Sequence, residues 1–329
     1  MAYTAGDTIL DDHYNTFVQG GASAVDHNVA NVNTVWGTVA TGDKGYGQSG
    51  NLSTVSTGST ITATQWVNLL NRVSTIANHQ GTSITAITNP TTGDTISAYT
   101  ALSGNITSIF NNRLNCAASG TDITTGGTRS GTNTWYTQQQ TTYTVTFTSE
   151  TAARYFFNAG GRIALTLSRS GGTTNDKNTG WSNLLTSCGT LYFTGGGGTS
   201  NVSIAGSAIY SGTTRVGGSG TPTTYLENTG WRDYTGTYVT LWQKYDSTYL
   251  YTTNYVTVEA YKSAANIYYR ITLVDAATDT TTFPDGSASA LDNVDGTLTA
   301  TMTIKPPATT YISNTWGTPT MSSTAWSGS

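Results

Sequence analysis

Apolar and polar residues alternate in five segments after residue 140, and this pattern constrains the fold most. Successive side chains of a β-strand point to opposite faces, so a period of two predicts sheets with one buried face. Glycine-rich segments at 193–200 and 210–224 interrupt the pattern as turns do. The spacing predicts an antiparallel β-sandwich or a jelly-roll-like domain. The apolar members are Tyr143, Val145 and Phe147; Ile163, Leu165 and Leu167; Val256, Val258 and Ala260; Ile267, Tyr269, Ile271 and Leu273; and Leu298, Ala300, Met302 and Ile304.

The first third of the chain has helical spacing and a short repeat. The pattern Gly-[Asp/Ser]-Thr-Ile occurs at 6–9, 58–61 and 93–96, each time before a segment of helical character. Thr62 and Gln65 predict a capping box at the start of a helix. Apolar stripes three and four residues apart follow the second and third copies. They are Trp66, Leu69, Leu70, Val73, Ile76 and Ala77, ending before Gly81, and then Tyr99, Leu102, Ile106, Ile109 and Phe110.

Short helices are marginal by themselves in water, so these stripes must be covered by something. We expect a helical bundle shared between copies of the chain, with an interface formed by Trp66, Leu69, Leu70, Val73 and Ile76. The alternative is that the stripes belong to the core of a single chain.

These patterns predict an α+β, mainly β protein with four parts. Residues 1–118 are the predicted helical attachment or oligomerisation domain, and residues 119–134, rich in Gly, Ser and Thr, are a predicted flexible linker. Residues 135–311 are the predicted β-sandwich, and residues 312–329 a C-terminal tail. We expect residues 131–311 to fold alone.

A short helix is predicted between the first two strands. Ser149 is a good N-cap and Glu150 suits the first turn. Phe156 and Phe157 then lie on the inner face, and a left-handed stop at Gly160 precedes the next strand. The two phenylalanines are therefore predicted core residues that hold the helix on the sheet.

The tetrapeptide Asn-Thr-Gly-Trp occurs at 178–181 and again at 228–231. An Asn-Gly turn that delivers Trp181 and Trp231 to the core is the first interpretation. The alternative is an exposed platform for glycans, formed by Trp231, Tyr234, Trp242 and Tyr245.

No constellation of reactive residues is found in the sequence. The histidines, at 13, 27 and 79, have no zinc-site spacing and are expected at surfaces, caps or interfaces. Glu227 with Asp233 is the best carboxylate pair for glycoside cleavage, and it is weak. The aspartates between 275 and 295 are expected to serve turns rather than calcium. Cys116 and Cys188 are expected to be free thiols.

Charge and hydropathy exclude two classes of partner. Charged residues are 10% of the 329-residue chain, the net charge is −4, and the 14 Lys and Arg form no basic stripe. Binding to nucleic acid needs clustered cations, so we expect none. No apolar run is long enough for a membrane span, and the first ten residues lack a secretory signal pattern. A protein made in the cytoplasm, without cofactor or metal, is expected.

Three motifs resemble a known group of proteins: "GYGQ" at 45–48, "ITATQWVNLLNRV" with "HQG" at 61–81, and "FTSETAARYFFNAGGRI" at 147–163. They are similar to virion structural, tail-fibre-like proteins of tailed bacteriophages, above all those of marine phages and cyanophages. The resemblance covers about half the chain. It implies a non-enzymatic subunit of a fibre or appendage on the tail, neck or collar, exposed on the particle. It also implies a homo-oligomer, most simply a trimer, that contacts other virion proteins.

Two functions of other classes remain open. One is a receptor-binding module for glycans of the host surface. The other is a polysaccharide depolymerase, which requires converging carboxylates that the sequence supplies poorly. A capsid decoration protein is a third alternative, within the structural class.

Overall fold

The structure is a computed structural model that describes residues 10–21, 24–38, 44–91, 98–196, 202–205, 208–210, 212–225, 236–248, 251–277 and 293–328. It is a mainly β, antiparallel α+β protein, as predicted. Its helices are α1 (Asp11–Gln19), α2 (Val32–Trp36), α3 (Ala63–Gln80), α4 (Tyr99–Asn111), α5 (Glu150–Asn158) and α6 (Asp176–Ser187). Its strands are β1 (Thr128–Thr132), β2 (Gln138–Thr146), β3 (Arg162–Ser170), β4 (Thr190–Thr194), β5 (Val202–Ile204), β6 (Ala208–Tyr210), β7 (Thr213–Val216), β8 (Thr224–Tyr225), β9 (Val239–Tyr245), β10 (Tyr255–Ser263), β11 (Asn266–Val274), β12 (Thr297–Lys305), β13 (Thr320–Ser323) and β14 (Ser327–Gly328).

Two antiparallel sheets pack face to face. The first has the order β1-β12-β3-β4-β7, and the second has the order β13-β2-β11-β10-β9-β8, with β14 also paired to β2. The Tyr143 hydroxyl of the second sheet donates to Ala300 O of the first at 2.7 Å, and the rings of Phe193 and Tyr269 lie 5.1 Å apart. The alternating residues of all five predicted strands are buried between the sheets.

Local signals in the sequence placed both ends of α3 and the start of α5 correctly. Thr62 and Gln65 form the predicted capping box of α3, and Gly81 ends that helix in the left-handed conformation with φ +69°. Ser149 accepts from Ala152 N at the start of α5, as predicted for this cap. The five-residue helix α2 was not predicted, because a segment this short shows no periodicity.

Three helices each carry a buried asparagine that binds the backbone of an extended segment, an arrangement called here an asparagine clamp. Each side-chain amide accepts from the N–H and donates to the C=O of one residue, so it satisfies both backbone groups as a neighbouring strand would. The distances lie between 2.8 and 2.9 Å. The pairs are Asn15 with Val55, Asn33 with Leu52, and Asn105 with Thr85.

The predicted helical interface between copies is wrong. Its residues are covered within the chain, the most exposed being Leu70 at 8%. They belong to one hydrophobic cluster that also contains the inner faces of both sheets. The alternative, a core within one chain, is what the structure has, because the helices pack on the sandwich. The five residues are Trp66, Leu69, Leu70, Val73 and Ile76.

Two predicted domain boundaries are also wrong. The predicted linker 119–134 contains β1, which pairs with β12 along its whole length as an edge strand. The residues of β1 that face water are Ser and Thr, so its composition is like that of a flexible linker although it is a strand. The predicted tail 312–329 contains β13 and β14, and Trp316 and Trp326 are buried.

Phe156, Phe157 and Trp181 are buried, which confirms them as core residues. The predicted turn at 178–181 is wrong, because these residues lie inside α6 and the helix itself carries the tryptophan inward. Trp231 lies outside the described residues.

Candidate functional site

Three motifs that are far apart in the sequence meet at one buried place, called here the joint. They are residues 45–48, residues 79–81 at the end of α3, and residues 155–161 at the end of α5. The Asn158 side chain donates to Gly45 O at 3.0 Å and so links the first motif to the third.

Tyr46 is the centre of the joint. Its hydroxyl donates to Arg113 O at 2.7 Å and accepts from the Gln80 side chain at 2.8 Å. The same Gln80 nitrogen donates to Ile109 O at 2.8 Å, and the Tyr46 ring meets His79 edge to face at 5.1 Å. A ring buried with its hydroxyl satisfied in this way positions the ends of α3 and α4.

His79 is buried, so its expected place at a surface, cap or interface is wrong. Its Nε2 lies 3.0 Å from Ala159 O, and since a carbonyl can only accept, this nitrogen carries the proton. Burial lowers the pKa of His79 to about 4, although the bond to Ala159 opposes the shift. The ring is therefore neutral at pH 7 and acts as a fixed donor. His13, in contrast, accepts from Leu10 N at 3.4 Å at the start of α1, in a cap as expected.

Two glycines allow segments of the backbone in the joint to lie close to their neighbours. A Cβ at Gly47 would lie 2.3 Å from the Tyr155 ring, and one at Gly160 would lie 2.4 Å from Cys116 Cβ. Both residues also have positive φ, +72° and +92°, which side chains disfavour. The glycines of the resembling motifs are thus needed for packing.

The C-terminal segment completes the joint. The Gln48 amide donates to Ser313 O and accepts from Ser313 N, both at 2.8 Å. The Thr315 hydroxyl donates to Tyr46 O at 2.6 Å. The joint therefore holds together the helices, the sandwich and the last eighteen residues.

Cys116 and Cys188 are free and buried, in agreement with the expected free thiols. Burial raises the pKa of Cys188 to about 12 and also raises that of Cys116. Both thiols are protonated at neutral pH, and the thiolate is the reactive form.

The acidic residues that could have marked a catalytic or calcium site serve other roles where they are described. The Asp295 carboxylate accepts from Thr173 and Asn178 and pairs with Arg169 at 3.2 Å, and these bonds lower its pKa. Asp275 is paired with Lys177. Among the described residues no group of three or more His, Cys, Asp or Glu could hold a metal ion. The remaining candidates, Glu227, Asp233, Asp279, Asp285 and Asp292, lie outside the described residues.

The predicted glycan platform does not exist as proposed. Trp242 is fully buried between the sheets, whereas Tyr245 is 39% exposed, so the two do not share a surface. A bulge in the pairing of β9 with β10 lies beside Trp242. Trp231 and Tyr234 lie outside the described residues.

A different aromatic surface lies on the outer side of the second sheet and is called here the tyrosine face: Tyr238, Tyr261, Tyr268, Glu259 and Arg270. Tyr261 and Tyr268 are cross-strand partners with rings stacked at 4.5 Å, and Tyr238 meets Tyr261 edge to face at 4.6 Å. The Arg270 guanidinium lies 3.9 Å from the Tyr238 ring and bonds to Glu259 at 2.7 Å.

The sequence contained a signal for the tyrosine face, but the alternation pattern was used to identify only the inward residues of each strand. Tyrosines at the outward positions of β10 and β11 take the place of the small polar residues common there. Half-buried rings beside an ion pair can pack on the apolar face of a sugar while neighbouring groups bind its hydroxyls.

Comparison with known proteins gave no match to any family model, curated protein or solved structure. In the described part of the chain, no helix has the length and apolar character needed to cross a bilayer.

Proposed function

We propose that this protein is a non-enzymatic structural component of a tailed-phage virion, a subunit of a fibre or appendage on the tail, neck or collar. The observation that supports the proposal is the joint. The three motifs that resemble virion proteins are separated in sequence but contact one another in space, so the resemblance follows a single structural unit rather than scattered short matches.

The location of the protein tests this proposal. Particles purified by density banding would be digested and measured by mass spectrometry, and an antibody against the chain would label them in electron micrographs. We expect a fixed number of copies per particle and labelling at the tail, neck or collar. A chain that is abundant in the lysate but missing from complete particles would contradict the proposal.

A homo-oligomer, with a trimer as the first expectation, remains part of the proposal. The apolar stripe on α3 is buried in the core of the single chain, so contacts between copies must come from another surface. Light scattering on the purified chain measures the mass directly. A monomer at micromolar concentration that is also present as single copies on the particle would exclude an oligomer.

A second candidate function is binding of host-surface glycans, and the tyrosine face favours it. Its rings and its Arg270–Glu259 pair combine apolar and hydrogen-bonding groups on one outer surface. Binding of the wild-type chain to a glycan array should fall at least about tenfold in Tyr238→Ala and Tyr268→Ala, a loss of about 1.4 kcal/mol. Tyr311→Ala, an exposed tyrosine elsewhere, is the control. Absence of binding by the wild type, or equal binding by all variants, would remove this candidate.

A further inference from the structure

Lys177 and Asp275 form the most deeply buried ion pair in the described part of the molecule. Lys177 Nζ lies 2.6 Å from Asp275 Oδ2, and both side chains are 0% exposed. Lys177 is in the first turn of α6, and Asp275 follows the last residue of β11. The pair thus joins the helix between β3 and β4 to the opposite sheet.

The segment at 135–137 contacts the elements that carry both members of the pair. Asp275 N donates to Thr137 O at 2.8 Å, two residues from the buried Trp135. Trp181, one turn after Lys177 on α6, meets Trp135 edge to face at 4.9 Å. These contacts hold α6 and the residue after β11 to the same segment, 135–137.

Burial favours the uncharged forms of both groups. Removing two charges from water costs several kcal/mol per ion, and their attraction repays this only in part. Transfer of one proton from the ammonium to the carboxylate gives a neutral amine and a carboxylic acid, which avoids the cost. These are a nucleophile and an electrophile held within hydrogen-bond distance.

We propose that Lys177 and Asp275 condense to an isopeptide bond, a covalent link between α6 and the end of β11 in the second sheet. The lone pair of Nζ attacks Cγ of the carboxylic acid, and a new Nζ–Cγ bond forms. The bond from Cγ to the hydroxyl oxygen then breaks, and that oxygen leaves with its own proton and one proton from Nζ as water. The nitrogen keeps one hydrogen as the amide N–H, so no oxidant, reductant or cofactor is needed.

Fixed proximity is the physical reason for the reaction. Well-oriented groups within one molecule react as if present at about 10⁵–10⁸ M, which makes a slow condensation accessible after folding. The product removes two buried charges and leaves an amide.

The other ion pairs of the described residues lack one of these conditions. Arg169 and Arg270 each present a guanidinium, which stays protonated and is a poor nucleophile. The side chains of Glu150 and Asp122, paired with Lys262 and Lys305, are 45% and 42% exposed, so these two pairs are open to water. Lys305 lies 2.5 Å from Asp122, so this pair is a control that is equally close but open to water.

Intact-mass spectrometry of the denatured full-length chain tests the proposal. We expect the folded wild type, once unfolded for measurement, to be lighter than its sequence by one water, about 18 Da. Lys177→Arg keeps the cation and should have its full sequence mass. Asp275→Asn replaces water by ammonia as the leaving group, so its expected loss is about 17 Da.

Peptide mapping assigns the bond. Digestion of the wild type should yield a branched peptide containing Lys177 and Asp275, while the peptides of Lys305 and Asp122 stay separate. A folded wild type that keeps its full sequence mass after long incubation would overturn the proposal. So would a loss of water that persists in Lys177→Arg, because it would place the modification elsewhere. Neither result depends on where the protein lies in a particle, so this inference and the proposed function succeed or fail separately.

Discussion

At the scale of single residues, His79 gives the joint a definite dependence on pH. Burial lowers its pKa in the folded protein from 6.5 to about 4, so between these values the unfolded chain binds the proton more readily. The stabilising contribution of the neutral ring is fully present above pH 6.5 and is lost as the pH falls towards 4. The total loss is about 3 kcal/mol.

Urea unfolding at pH 7 and pH 4.5 measures this effect. His79→Gln keeps a side-chain donor for Ala159 O and does not titrate, so its unfolding free energy should fall less between the two pH values than that of the wild type. Identical pH dependence in both proteins would show that His79 does not have the lowered pKa.

Phe156 is the second residue with a clear expected outcome. Its ring is buried against Phe147 and Phe157 at 5.3 and 5.0 Å, so Phe156→Ala opens a cavity in the core. We expect a loss of about 3–5 kcal/mol in the free energy of unfolding. Tyr136→Ala, at an exposed tyrosine, is the control for loss of an aromatic ring. A melting temperature near that of the wild type would mean that the phenylalanines do not hold α5 on the sheet.

At the scale of elements, the asparagine clamps replace the missing strand partners of two extended segments. Asn105→Ala removes two hydrogen bonds of 2.8 Å to the backbone of Thr85, an exposed residue, and each such bond contributes about 0.5–1.5 kcal/mol, so we expect a loss of about 1–3 kcal/mol. Chemical denaturation should show a loss in this range. Asn68→Ala, at an exposed position of α3, should change stability by less than about 0.5 kcal/mol. Equal effects of the two substitutions would show that the clamp does not stabilise the segment.

At the scale of the whole molecule, the predicted independent fragment 131–311 is unsuitable as a domain. It begins inside β1 and lacks β13, β14, Trp316 and Trp326. Removal of residues 312–329 alone should lower the unfolding free energy by more than about 4 kcal/mol, because truncation of even one buried tryptophan costs about 3–5 kcal/mol.

Thermal unfolding followed by circular dichroism checks the effect of the truncation. A shorter chain that ends at Trp326 keeps both tryptophans and β13, and it should lose much less stability. If the chain that ends at residue 311 melts like the full protein, the last eighteen residues are a tail after all.

The sequence alone determined the elements whose signals are local. The alternation of Ile163, Leu165 and Leu167 specifies a strand because a period of two matches only a pleated backbone with one buried face. The Thr62–Gln65 capping box and the Ser149 cap predicted helix starts because each acts within one turn of backbone.

Only the tertiary structure decided which elements pair and what each face contacts. Residues 128–132 form an edge strand because they pair with β12, whose other side pairs with β3. These partners lie more than a hundred residues away in the sequence, so local signals cannot predict the pairing. The same holds for His79, whose burial depends on the end of α5, and for Trp242, which lies inside the sandwich. A polar or alternating pattern shows that a residue can face either water or the core. The free energy that selects one of these two environments comes from the surfaces buried between distant segments.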